Sequence, residues 1–351
     1  MRLLDHVAQC TAPLLVRQAS GDLWQLPGPS DYAQEVIRCP LRYVLSDELV
    51  KACIELAYSD GSGLSGCRDL VHFPAERLWI EWNRTPQHNE LSRLLPECVR
   101  TAAPGSLRNG ALVYAHPNGR SGRLRTFWLP ASEPREPLLA AAETLLDLDS
   151  DAPDRPCETF LEGHAVPVGD AHSAHVDGLM RCASFRLDPL WQRYYASVAH
   201  SAAERTQVIC RSLETVAFDV PMLLALFLLM GLRADLKESP VRPIRLNVKR
   251  ARHGKQPLLE HVEISCPVFA STGDPPRSEE WTTPRIGPRM HHVRGHIVRR
   301  RNAVFWRRPH WRGHLRLGSV RSRTVLLTHP GPGTGVPTAL SGVARVGSDA
   351  L

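Results

Sequence analysis

Residues 219–232 read Asp-Val-Pro-Met-Leu-Leu-Ala-Leu-Phe-Leu-Leu-Met-Gly-Leu, and this stretch decides the fold. No charged residue follows Asp219 in it. Pro221 stands near its start, where a helix tolerates proline because its first N–H groups have no partner within the helix. A helix that is apolar on every side has to be buried. It is too short to span a membrane, which takes ~20 apolar residues. We therefore predict a buried core helix at 220–232, capped by Asp219.

Helical segments around this stretch share a spacing of three to four residues between apolar positions. They are predicted at 3–15, at 46–58 behind an N-cap at Ser46, at 138–145, at 190–200 behind Asp188 and at 209–216. Segments with alternating apolar residues or many β-formers are predicted as strands. These are 77–82, 111–116, 123–129, 159–168, 244–249, 258–265 and 323–328, with a hairpin joining 111–116 to 123–129. The prediction is an α+β fold, with a mixed helix and sheet body over residues 1–240.

Charge divides the chain into unlike parts. Residues 281–351 hold 13 Arg and one acidic residue, a formal charge of +12, whereas residues 1–280 carry −5. We place a basic, β-rich C-terminal module at 241–329, with a hairpin at 292–308, and a disordered tail rich in Gly, Pro, Ser and Thr at 330–351. The concentrated positive charge favours a polyanion or an acidic protein as partner.

The cysteines and the N-terminus indicate in which cellular compartment the protein is expected. Nine scattered cysteines without a C-x-x-C pair are typical of a reducing compartment. Asp5 and His6 interrupt the apolar stretch at the N-terminus, which therefore does not read as a secretory signal. We expect a soluble cytoplasmic protein with no membrane partner.

The basic module contains the motif H-x-R-G-H twice, at 292–296 and at 310–314. Arginines surround both copies, and tryptophans stand among them. Arginine and lysine bind phosphates, and aromatic rings stack on the bases of single strands. The candidate nucleic-acid or partner contacts are Lys249, Arg250, Arg252, Lys255, Arg294, His296, Arg299, Arg300, Trp306, Arg307, Arg308, His310, Trp311, Arg312 and His314.

Two other interpretations of this motif stay open. H-x-x-x-H spacing puts two histidines on one face of a strand or helix, as a zinc site needs, but the flanking arginines oppose a divalent cation. Alternatively, the segment is a structural sheet face, in which histidines bond to the backbone, arginine stems cover apolar surface and tryptophans belong to the core. The structural interpretation explains the aromatics, but explains less well why 281–348 contains no Asp or Glu.

Two motifs in the body offer other chemistry. His172, His175 and Asp177 are metal-ligand types close together in sequence, and a metal-dependent enzyme that uses them is an alternative. Residues 61–66 spell G-x-G-x-x-G, but a helix precedes them where dinucleotide binding requires a strand. No nucleophile–base pair is recognisable from spacing, so we expect a protein that is not an enzyme and needs no cofactor.

Residues 247–258, Asn-Val-Lys-Arg-Ala-Arg-His-Gly-Lys-Gln-Pro-Leu, together with the H-x-R-G-H copies, resemble the C-terminal region of certain phage and mobile-element proteins. That region has N-x-K/R-R-x-R-x-G-K-x-P-L, a strand, and then a basic segment with R-G-H and a tryptophan. The family is the type V-A anti-CRISPR group that suppresses production of the effector nuclease. The resemblance covers the C-terminal third, and the family also has an apolar helix comparable to 222–230.

The resemblance implies a non-enzymatic inhibitor of host defence in the cytoplasm of a bacterial host. Its partners would be the N-terminal peptide of a type V-A CRISPR effector, recognised during synthesis, and RNA or the ribosome, bound through the basic tail. The effector transcript would fall as a result. We expect the peptide to add as a strand to the sheet at 77–82 or 123–129. The alternative is a phage- or plasmid-encoded nucleic-acid-binding protein without a CRISPR role.

Overall fold

The computed structural model describes residues 1–17, 21–58, 64, 66–95, 105–150, 179–232, 236–266, 289–293, 296–300, 303–307, 310–312 and 314–319. The fold is α+β, as predicted. The α-helices in these ranges are α1 Leu3–Ala8, α2 Ala33–Arg38, α3 Asp47–Tyr58, α4 Arg84–Leu94, α5 Pro189–Val198, α6 Ala202–Ala217, α7 Val220–Gly231 and α8 Ile244–Arg252.

The strands of the first 266 residues are β1 Leu14–Arg17, β2 Leu23–Leu26, β3 Leu41–Leu45, β4 Arg77–Asn83, β5 Ser106–Ala115, β6 Ser121–Pro130, β7 Leu138–Asp147, β8 Ala183–Leu187, β9 Lys237–Val241 and β10 His261–Ser265. Those of the basic segment are β11 Arg289–Val293, β12 His296–Arg300, β13 Ala303–Arg307, β14 His310–Arg312 and β15 His314–Ser319. Several predicted features lie outside the described residues. They are the strands at 159–168 and 323–328, the histidine and aspartate residues of 170–178, most of 61–66 and the tail at 330–351.

Eight strands form one mixed sheet, in the order β8-β7-β6-β5-β4-β3-β10-β9. Strands β4 to β8 are an antiparallel meander, whereas β3 runs parallel to β4 and to β10. The predicted hairpin is confirmed as β5 and β6. Gly119 in its turn has a φ of +66°, a conformation that glycine adopts without steric cost.

Helices cover both faces of this sheet, because successive side chains of a strand point to opposite faces. On β4, Leu78, Ile80 and Trp82 belong to the larger core, which includes apolar residues of α3, α6 and α7. Trp79 belongs to a smaller core with residues of α1 and α2. The central strands are therefore buried on both sides.

Two predicted helix starts are confirmed together with their caps. The Ser46 hydroxyl accepts the N–H of Leu49 at 3.2 Å in front of α3, and the Asp188 carboxylate accepts the N–H of Leu190 at 2.9 Å in front of α5. The predicted apolar stripe of α6 is buried and consists of Ile209, Leu213 and Val216.

Helix α7 is the buried helix predicted from residues 219–232. Asp219, however, does not cap it through a side-chain hydrogen bond. Its carboxylate instead accepts the side-chain amides of Gln87 at 2.7 Å and Asn109 at 3.3 Å. The Gln87 carbonyl in turn accepts the indole N–H of Trp82 at 2.7 Å. Burial raises the pKa of the Asp219 carboxyl, and Arg84, whose Nη1 lies 3.6 Å from it, opposes that rise.

A second buried carboxylate holds α1 on the opposite face. Glu81 of β4 is fully buried and accepts the N–H groups of Leu3 and Leu4, both at 2.9 Å. It also pairs with Arg108 of β5. Because free N–H groups at a helix start attract negative charge, this carboxylate fixes where α1 meets the sheet.

Three predicted elements are wrong. The helix at 3–15 ends at Ala8, and β1 follows at Leu14–Arg17. Residues 138–145 lie in β7, where pairing with β6 and β8 and burial on both faces override the helix-forming Leu and Ala residues. Residues 244–249 lie in α8 and not in a strand, although their apolar residues alternate.

The chain passes the predicted boundary at residue 240 inside β9 and returns as β10, between β3 and β9. Residue contacts divide the chain into two units, Met1–Trp281 with Val293–His310, and Thr282–His292 with Trp311–Leu351. The predicted peptide edges are also wrong, since β4 lies between β3 and β5, and β6 lies between β5 and β7. Among the described strands, the edges of this sheet are β8 and β9.

Replacing Glu81 with Ala should lower the free energy of unfolding by about 3–5 kcal/mol, because the change leaves the Arg108 charge and two helix N–H groups without their partner. Glu263 is the matched control, since its ion pair with Arg2 is 2.5 Å long but its side chain is 45% exposed. Glu263→Ala should cost less than about 1 kcal/mol. Urea unfolding of both variants measures the difference, and equal losses would contradict the role given to Glu81.

Candidate nucleic-acid interface

Helix α8 and the loop after it, residues 244–259, form a surface that we call the basic helix–loop. No residue of α8 is buried. The segment has no Asp or Glu and carries five cations, Arg245, Lys249, Arg250, Arg252 and Lys255. All but Arg250 are exposed, and none of the five forms an ion pair within the described part of the chain. The basic helix–loop is therefore a concentrated positive surface.

Hydrogen bonds within the segment close this loop. The side-chain amide of Asn247 donates to the carbonyl of Leu258 at 2.9 Å, and its carbonyl accepts the N–H of Leu258 at 2.8 Å. Arg250 Nε donates to the carbonyl of Gln256 at 2.7 Å. Gly254 turns the chain with a φ of +64°, which a side chain would oppose.

These bonds divide the pattern N-x-K/R-R-x-R-x-G-K-x-P-L into two sets of positions. Asn247, Arg250, Gly254 and Leu258 hold the loop closed. The side chains of Lys249, Arg252 and Lys255 are exposed to solvent and form no such bond with another described residue. These three positive charges are therefore available for contact with a partner.

Three apolar side chains accompany the charges on α8. Ile244, Leu246 and Val248 are 61%, 49% and 51% exposed. Because residues four apart share a face of a helix and residues two apart do not, Ile244 and Val248 lie together on one face of α8 and Leu246 on another. The sequence analysis did not single out these side chains or Arg245, because the segment was expected to be a strand.

The strands of the basic segment carry the other candidate residues. β12 pairs antiparallel with β13, so that His296 lies opposite Arg307 and Ile297 opposite Trp306. β11 lies between β14 and β15 in a separate sheet. Of the predicted contacts, Arg299 and Arg300 are in β12, Trp306 and Arg307 in β13, His310, Trp311 and Arg312 in β14, and His314 begins β15. Arg294 and Arg308 lie outside the described residues.

Both copies of H-x-R-G-H span the junction between two strands. His292 is in β11 and His296 begins β12, whereas His310 begins β14 and His314 begins β15. The zinc interpretation assumed that both histidines of a copy lie on one face of a single strand or helix, whereas the structure places them in different strands. Within the described ranges, no group of three or more His, Cys, Asp or Glu is placed to hold a metal ion. His172, His175 and Asp177 lie outside those ranges, so the metal-dependent enzyme stays a prediction.

A second group of arginines lies on the sheet, where the sequence did not predict a site. Register places Arg77, Tyr114 and Arg123 side by side on β4, β5 and β6. It likewise places Arg125 beside Glu143 on β7, and Glu143 beside Arg186 on β8. In the sequence, the alternate positions of Arg123 and Arg125 indicate only that the two arginines share one face of a strand. The site could not be predicted from them, because the other residues of the group come from distant segments.

No protein-family model, no curated protein and no solved structure matches the chain. Among the described helices, none is both long and apolar enough to cross a membrane.

Replacing Lys249, Arg252 and Lys255 together with Ala should weaken RNA binding and flatten its salt dependence. If the four exposed cations of the basic helix–loop meet four phosphates of a single strand, they contribute about −2.8 to the slope of log K against log salt, and losing three of these contacts removes about 2 of that. Fluorescence anisotropy with labelled single-stranded RNA over a salt series measures both effects.

The matched control replaces Lys51, Arg135 and Arg193 with Ala. These residues are also exposed, and the change removes the same charge from other elements. Its slope should stay that of the unchanged protein. Equal slopes for the two triple variants would show that net charge, and not the basic helix–loop, drives binding.

Proposed function

We propose that this protein is a non-enzymatic RNA-binding protein whose contact surface includes the basic helix–loop. The observation that carries the proposal is the division of the 247–258 pattern into residues that close the loop and cations that remain exposed. Five positive charges without an acidic neighbour between residues 244 and 259 match the phosphate backbone of a nucleic acid. The exposed apolar side chains of α8 add contacts that a purely electrostatic surface lacks.

The basic strands are a second proposed contact with RNA. Their arginines and tryptophans supply phosphate contacts and stacking surfaces of the kind that single-stranded RNA requires. Replacing Arg299, Arg300, Arg307 and Arg308 with Ala should therefore flatten the salt dependence further when combined with the triple variant of the basic helix–loop.

The resemblance to the type V-A anti-CRISPR group supports a specific role for this RNA binding. In that role the protein recognises the N-terminal segment of a type V-A effector while the ribosome makes it, and the effector transcript falls. The basic surface would hold the protein near ribosomal RNA or the transcript. The described body would supply the contact with the nascent peptide.

The peptide contact has a candidate place on the sheet. An extended peptide can pair with an edge strand through backbone hydrogen bonds, which require little sequence. Edge strand β9 is a poor partner, because Pro240 has no N–H and Lys237 and Glu238 are charges of the kind that block edge pairing. Edge strand β8, Ala183–Leu187, is the better candidate among the described strands.

Expression of a type V-A effector with and without this protein tests the proposed role. Two altered effector genes distinguish recognition of the nascent peptide from recognition of its RNA. In one, synonymous codons change the RNA of the N-terminal segment but keep the peptide. In the other, a compensated frameshift changes the peptide and keeps most of the RNA. Transcript level and nuclease yield are measured for each.

Suppression should persist with synonymous codons and disappear with the frameshifted segment. It should also weaken when Lys249, Arg252 and Lys255 are replaced. Unchanged transcript and nuclease for every effector gene would contradict the anti-CRISPR role and leave RNA binding without a CRISPR role as the function.

A further inference from the structure

The three residues Arg77, Tyr114 and Arg123 form what we call the arginine–tyrosine row. The guanidinium carbon of Arg123 lies 4.6 Å from the centroid of the Tyr114 ring, and that of Arg77 lies 5.7 Å from it. The Tyr114 hydroxyl donates a hydrogen bond to the Glu35 carboxylate of α2. Burial raises the pKa of the Tyr114 phenol, which keeps the proton on this donor. The ring is thus a fixed support for two cations.

These two cations have unused hydrogen-bonding capacity. The side chain of Arg77 is exposed and makes no ion pair with any described residue. The side chain of Arg123 is 50% exposed, and its closest described acid, Glu143, is 3.8 Å away, beyond hydrogen-bond distance. Glu143 already accepts Arg186 Nε at 2.6 Å. Each guanidinium can therefore present its donors to an anion from solution.

A third arginine, Arg125, lies two positions along β6 and is 9% exposed. Its guanidinium pairs with Glu143 at 3.5 Å and with Asp188 at 3.7 Å. Because these two carboxylates neutralise Arg125, the cations open to a ligand at the row are Arg77 and Arg123.

An open cavity of 450 Å³ adjoins the row. Its lining consists of Pro40, Ala75, Glu76, Arg77, Tyr114 and Ala115. This volume is within the range of small-molecule sites, ~300–1,000 Å³. The lining offers the carboxylate of Glu76, the guanidinium of Arg77 and part of Tyr114 beside small apolar residues. A ligand that fits them carries an anionic group at one end and hydrogen-bond donors at the other.

We propose that this cavity binds a small phosphate ester of the size of a nucleoside monophosphate. Arg77, which lines the cavity, holds the phosphate, since the guanidinium fork matches its oxygens better than an ammonium does. Arg123, against the same Tyr114 ring, adds positive charge beside it. Glu76 accepts a hydrogen bond from a hydroxyl or amino group of the ligand. An acidic peptide fits less well, because its further carboxylates would meet Glu76 and Glu35 at the same place. The site is independent of the basic helix–loop.

Isothermal titration of the full chain with adenosine monophosphate, adenosine, inorganic phosphate, a single-stranded oligonucleotide and an oligoglutamate tests the proposal. The monophosphate should bind at least tenfold more tightly than adenosine and than inorganic phosphate, since each of these lacks half of the contacts. Arg77→Ala with Arg123→Ala should lose at least tenfold in affinity. Arg135→Ala with Arg193→Ala, which removes the same charge from other elements, should lose nothing.

Two further variants separate binding from folding and from the basic helix–loop. Arg77→Lys keeps the charge and removes the fork, so it should weaken the monophosphate without changing the melting temperature. The triple variant at Lys249, Arg252 and Lys255 should leave monophosphate affinity unchanged. The proposal is overturned if the monophosphate does not bind, if it binds no tighter than inorganic phosphate, or if the oligonucleotide or oligoglutamate binds the Arg77 and Arg123 pair in preference to it.

Discussion

The carboxylate of Asp219 is the contact on which the arrangement of the body depends. It is 1% exposed and receives amide groups from Gln87 on α4 and Asn109 on β5, so that one charge joins three elements at the start of α7. Burial of the apolar surface of α7 supplies the larger driving force, but that force has no direction. A buried charge without partners is costly, so α7 is held where both amides reach Asp219.

Local spacing accounts for the elements that could be predicted. A few neighbouring residues are enough to predict the apolar repeat of α3, the all-apolar α7 and the turn between β5 and β6. β7 could not be predicted in the same way, because Leu and Ala favour a helix and become a strand only through pairing with β6 and β8. The arginine–tyrosine row has the same origin, since register brings Arg77, Tyr114 and Arg123 together from three strands.

The positive charge of the basic helix–loop could be predicted from the sequence, but its helical structure could not. Lys249, Arg250, Arg252 and Lys255 are visible as a cluster in the sequence. The helix that carries them is not, because the alternating apolar residues of 244–249 resemble a strand. The structure also contains a contact that this spacing does not reveal, since the Asn247 side chain pairs with the backbone of Leu258, eleven residues further along the chain.

The basic helix–loop connects β9 to β10, which are antiparallel neighbours at the edge of the sheet. Five register pairs between His261 and Ser265 and their partners on β9 join the two strands directly. The segment between them is therefore an insertion between two strands that are already paired. Apart from Leu259, whose N–H donates to the Asp5 carboxylate of α1 at 2.8 Å, its exposed residues can differ without disturbing the pairing that holds this edge of the sheet.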